Sequence, residues 1–166
     1  MLFPTHLVAG YVMARGTNRP VWWVIFGTVL PDAIDKPLAL AGVTELFHTV
    51  AHSALAVVVL ALALRTGARG AAVWVGWVIH LAMDAGQIII NGRPADVQFL
   101  LWPVVEHTPV ISLPPVEFFL GYIGSPAFFL EIGFWVFAAF VASRDPSLRA
   151  VDPTRDGDAK SALRDD

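Results

Sequence analysis

Apolar residues fall in runs along this chain, and the runs lack the strict alternation of half-buried strands. Spacing and flanking signals predict five helical segments: Pro4–Ala14, Pro20–Leu30, Leu46–Leu64, Ala71–Ile90 and Pro126–Ala142. Pro20 suits a first helical position. In "GSPAFF", Ser125 offers an N-cap and Pro126 a first helical residue. The preceding "VEFFLGYIG" reads as a separate short interfacial or re-entrant piece. The third and fourth segments approach the roughly 20 residues that span a bilayer. The first two are short for that and must snorkel, thin the bilayer or pack within a bundle. From Ser143 onward, "SRDPSLRAVDPTRDGDAKSALRDD" is polar and mixed in charge, and is expected to be largely disordered. The division is thus a helical domain over residues 1–143 and a tail over 144–166.

Composition turns these helices toward the membrane. Of 166 residues, 56% are hydrophobic and 15% charged, and mean hydropathy is +0.63. Such values favour one all-α, integral membrane bundle of about five helices over a soluble core. The net charge of −3 comes with no basic stripe for nucleic acid. There is no cysteine, which excludes disulfides and thiolate metal sites but leaves the compartment open. "MLFPTHLVAG" has no basic residue before its apolar stretch, so it is a poor secretory signal and is expected to belong to the mature fold.

Arginines orient the bundle. Arg15 and Arg19 lie between segments one and two, Arg65 and Arg69 between three and four, and Arg144 and Arg149 open the tail. With five spans these places share one side, and the positive-inside rule makes it cytoplasmic. The expectation is a multi-pass inner-membrane protein with a cytoplasmic C-terminus. The opposite, extracytoplasmic side receives His6, the "PDAIDKP" loop with Asp32 and Asp35, His48 and His52, the half of segment four carrying His80 and Asp84, and the loop with Asn91, Glu106 and His107.

Histidine and aspartate donors together suit zinc, and also manganese or iron. His80 and Asp84 stand four apart, on one helical face, and His48 and His52 have the same spacing. A bound divalent ion with an open position activates water and polarises a phosphoryl or carbonyl oxygen. A carboxylate of Asp32 or Asp35 would then serve as base. Each piece has a plainer reading. His6 reads also as an interfacial residue, "PDAIDKP" as a helix stop, His48 as a solvated or capping residue, and His52 with Ser53 as a helix-start pair. His80 and Asp84 read also as a clamp between helices, Glu131 as a structural hydrogen bond, and Asn91, Glu106 and His107 as ordinary loop residues.

The order "THLVAGY", "LPDAIDKPLA", "HTVAHSALA", "HLAMD" and "LLWP" resembles the membrane-bound metal-dependent hydrolases, also described as LexA-binding, inner-membrane-associated hydrolases. Members show a Gly-His or similar pair, a Pro-Asp-x-Asp-type motif, a His-Ser pair opening a helix, His-x-x-x-Asp and a Leu-Trp-Pro loop. The matches cover roughly Thr5 to Pro103. The resemblance implies metal-site positions at His6, Asp32, Asp35, His52, His80 and Asp84, with His48 as a further candidate. Here Thr5 precedes His6 where glycine is common, Asp32 and Asp35 stand three apart, and "HTVAHS" replaces a His-Arg-Gly stretch. The pattern is more loosely similar to zinc-dependent phospholipase C. The function expected is a membrane-embedded, metal-dependent hydrolase acting on a phosphoester or other ester of a lipid or lipid-linked molecule. Transport or binding of a metal ion or proton, and a non-catalytic scaffold, are the alternatives.

Overall fold

The computed structural model describes residues 2–105 and 115–146, and among these every regular element is helical. Helix α1 (Phe3–Gly16) is followed by α2 (Val21–Leu40), α3 (Ala54–Leu60) with a 3₁₀ extension (Ala61–Thr66), and α4 (Ala68–Ile90). A 3₁₀ turn (Pro94–Leu101), α5 (Pro115–Tyr122) and α6 (Pro126–Arg144) complete the order. Ser53 and Ser125 cap α3 and α6, accepting from the N–H groups of Ala56 and Phe128. The "VEFFLGYIG" stretch does form a separate short helix, α5. Glu106, His107 and nearly all of the tail lie outside the described residues.

The centre of the fold is α2 against α4. Glycines set its closeness: a Cβ on Gly27 would lie 2.1 Å from the Val73 carbonyl oxygen, and one on Gly76 2.1 Å from that of Val24. Missing side chains let the two backbones touch. Helix α1 lies across both, and α6 packs along α1. At the arginine end the packing is apolar, with Ala14, Val24 and Ala72 buried together. There Arg69 sits over the Trp23 ring, and Arg15 Nε pairs with Asp145 at 2.6 Å.

Two expectations change. "PDAIDKP" is not a turn: α2 runs through Pro31 and Pro37 to Leu40. Each proline removes one backbone bond, and packing on α4 carries the helix past the first. The third segment is not a 19-residue helix either. It is helical only from Ala54, and 46–53 form an irregular loop. The cause is Asp35, whose carboxylate accepts the N–H groups of Thr49, Ala51 and His52. A helix through 46–53 would need those donors for its own carbonyls. His48 and His52 are therefore not neighbours on a helix face.

Helices α4 and α6 are long and apolar enough to cross a membrane. Their 23 and 19 residues measure about 34 and 28 Å at 1.5 Å per residue. The polarity of the molecule is inverted. His6, Asp35, His52 and His80 are at most 1% exposed, while Phe129, Leu130, Val136, Phe137 and Phe140 of α6 are each more than half exposed.

Candidate metal centre

Four places in the chain bring the donors together, and each has a local reason. His6 lies in the second turn of α1. Asp32 and Asp35 lie on adjacent turns of α2, both buried. His48 and His52 come from the loop that Asp35 gathers, and His80 and Asp84 from one face of α4.

His80 and His52 are each fixed through Nδ1. His80 Nδ1 lies 2.7 Å from the carbonyl oxygen of Thr28. A carbonyl only accepts, so Nδ1 carries the hydrogen. His52 Nδ1 lies 2.8 Å from Asp35 Oδ2, which assigns its hydrogen in the same way. In the neutral rings both Nε2 atoms are then bare, and they face each other at 3.1 Å. Asp84 completes the cluster: Oδ2 lies 3.2 Å from His80 Nε2, 3.7 Å from His52 Nε2 and 3.8 Å from His48 Nε2. Its Oδ1 lies 3.2 Å from His6 Nε2. Asp32 Oδ1 sits 3.6 Å from His52 Nε2 and 3.8 Å from His80 Nε2, and Asp32 Oδ2 accepts from Lys36 Nζ at 2.6 Å.

Three overlapping donor groups result: His6, His80 and Asp84; Asp32, His52 and His80; His48, His52 and Asp84. Within each, one donor atom per residue lies within 4.8 Å of the others. Two features fit a cation. Facing lone pairs 3.1 Å apart repel unless a proton or a metal lies between them. Neither ring nitrogen of His6 makes a hydrogen bond, although the side chain is buried, and such groups are costly to leave unmet. A divalent ion answers the first and meets the second at Nε2, the His6 nitrogen that faces Asp84.

Of the residues singled out in the sequence, His6, Asp32, His48, His52, His80 and Asp84 converge. Asp35 does not join the donor groups. Its oxygens accept from Thr49, Ala51 and His52, so it orients the His52 ring where the sequence reading expected a metal ligand. Glu131 also stands apart. It accepts from Tyr122 Oη at 2.5 Å, from Leu2 N at 3.2 Å and from Thr5 Oγ1. Asn91 Oδ1 caps the start of α6 by accepting from Ala127 N.

Sequence reasoning missed Thr28, whose backbone orients His80, and Phe99, whose ring packs against His48 and His52 with centroids 5.3 and 6.3 Å away. No motif marks either one, since a backbone carbonyl and a packing ring carry no signature. Lys36 stood in the quoted motif but carried no assigned role.

Comparison of the chain with family models, curated proteins and solved structures finds no match to any of them.

Proposed function

We propose that this chain is a membrane-embedded, metal-dependent hydrolase that cleaves a phosphoester or other ester of a lipid or lipid-linked molecule. The observation that carries the reading is the pair of bare, buried Nε2 atoms of His52 and His80, ringed by Asp84, Asp32, His6 and His48. Imidazole and carboxylate donors with no sulfur suit zinc, with manganese or iron as alternatives. When bound, a divalent ion supplies an electrophile for a phosphoryl or carbonyl oxygen and makes water a stronger acid.

The chain's own groups do the rest. Asp35 and the Thr28 carbonyl hold His52 and His80 in the tautomer that turns Nε2 inward. Asp32 Oδ1, the oxygen not held by Lys36, accepts the proton of the attacking water. Lys36, half exposed beside Asp32, is the cation within reach of an anionic substrate oxygen, which favours a phosphoester over a neutral ester.

The membrane setting rests on the inverted polarity. An exposed apolar face of this extent on α6, around a core holding imidazoles and carboxylates, suits lipid contact. Helices α4 and α6 span, with the shorter segments beside them. The arginine end faces the cytoplasm and the donor cluster lies toward the other face, so a substrate enters from the outer leaflet. The motif order, similar to that of the membrane-bound metal-dependent hydrolases, agrees with this.

Transport is the weaker reading because, among the described residues, the α1–α2–α4 contact at the arginine end is the apolar cluster of Ala14, Val24 and Ala72. A pure scaffold predicts no bound metal. The test is elemental analysis of the full chain purified in detergent, followed by a broad panel of phosphoesters and lipids. The wild type should carry tightly bound zinc or a similar ion, His80→Ala and Asp84→Ala should lose it, and turnover should depend on the ion. Metal content unchanged in both variants would sink the site. A loaded protein silent across the panel would shift the function to metal binding.

A further inference from the structure

The three donor groups cannot all be used at once. His80 has spent Nδ1 on the Thr28 carbonyl and His52 has spent Nδ1 on Asp35, so each offers a single lone pair. A lone pair serves one ion. The group Asp32, His52 and His80 therefore competes with each of the other two, because it shares His80 with one and His52 with the other. The remaining two groups, His6 with His80 and His48 with His52, share only Asp84. A carboxylate has two oxygens and can serve two ions. Asp84 lies between the two pairs, with Oδ1 toward His6 and Oδ2 within 3.2 Å of His80, 3.7 Å of His52 and 3.8 Å of His48.

The molecule thus has two filling schemes. One ion on Asp32, His52 and His80 leaves His6 buried outside the ion's donor set, with Nε2 facing only Asp84 Oδ1, and leaves His48 without a task. Two ions, one on His6, His80 and Asp84 and the other on His48, His52 and Asp84, use every histidine of the cluster. The second scheme also gives His6 Nε2, the nitrogen facing Asp84, a ligand's role. Asp32 is then left out of the inner donor set, with one oxygen on Lys36 and the other directed at the cluster, as a base requires.

We infer that the site is a two-ion centre in which Asp84 bridges the ions, the first held by His6 and His80 and the second by His48 and His52. This inference rests on the metal-dependent reading above and narrows it. Paired ions clamp both the attacking and the leaving oxygen of an in-line displacement, a device of phosphoryl-transfer and hydrolytic enzymes. With the Lys36 cation beside Asp32, such a pair favours a phosphate ester as the substrate class.

The test counts ions without using activity. Full-length protein in detergent, loaded with zinc and then desalted, should hold two equivalents per chain by elemental analysis. His6→Gln and His48→Gln should each hold one, with unchanged helical circular dichroism. Loaded with manganese instead, the wild type should give an exchange-coupled electron paramagnetic resonance signal, and each variant an isolated-ion signal. One equivalent in the wild type, or two in either variant, overturns the two-ion centre and leaves the metal reading standing. Loss of both ions in a single, folded variant overturns the assignment of separate holders. A wild type that binds none overturns both readings.

Discussion

Asp35 does more for this site than its distance from the donor groups suggests. Four donors converge on its carboxylate, three from the backbone of the 46–53 loop and one from the His52 ring. One side chain thus shapes the loop that brings in His48 and His52, and also sets the tautomer of His52. Asp35→Asn keeps the volume but replaces one accepting oxygen by an N–H₂, which opposes the backbone N–H groups or switches the His52 tautomer. Charge-assisted hydrogen bonds are worth about 1.5–3 kcal/mol each, so a loss of about 3 kcal/mol is expected in denaturant or thermal unfolding. Outer partners of ligating histidines typically change metal affinity by about 10–100-fold, and a zinc titration of the variant should show a drop of that size. Wild-type affinity in a folded Asp35→Asn protein would remove the orienting role. The residue types were legible in the sequence, and so was the pairing of His80 with Asp84 by helical spacing. The division of labour between Asp32 and Asp35 was not. An aspartate that faces the donor cluster and one that holds a histidine look alike until hydrogen-bond partners are known.

Helices α4 and α6 were readable nearly to their ends, because their apolar runs are long and Ser125-Pro126 marks a start. Helix α2 and the start of α3 were not. Proline inside "PDAIDKP" argues for a stop on local grounds, and only the face of α4 beneath it outweighs that signal. The converse holds at 46–53, where an apolar, helix-compatible stretch surrenders its N–H groups to a distant carboxylate. The α2–α4 contact itself depends on glycine. Gly76→Ala puts a methyl 2.1 Å from the Val24 carbonyl oxygen, so the helices must part, and the Thr28–His80 hydrogen bond with them. Overpacking of this kind costs about 1–3 kcal/mol. A lower melting temperature and weakened ion binding are expected together. Gly86→Ala on the same helix meets nothing within 4 Å, and alanine is favoured over glycine by about 1 kcal/mol in a helix. That variant should melt no lower than the wild type. Equal effects from both substitutions would show that close approach at Gly76 does not govern the fold.

For the molecule as a whole, the sequence reading ties the arginine turns to one side and the donor cluster to the other. Single cysteines introduced into this cysteine-free chain at Thr17 and Ala68 should resist an impermeant thiol reagent in intact cells. One at Gly92 should label. The reverse pattern would invert the orientation, and uniform labelling would argue against a membrane at all. By itself, the sequence determined the helical class, the polarity of the chain and a pool of candidate donors that still included Asp35, because these follow from composition and from motif spacing. Tertiary structure decided the rest: that His6 meets Asp84, that the two Nε2 atoms face each other, and that Asp35 turns away to hold the loop. Those relations join residues as far apart as His6 and Asp84 in the chain. Their distances are set by helix packing at Gly27 and Gly76, which no local pattern records.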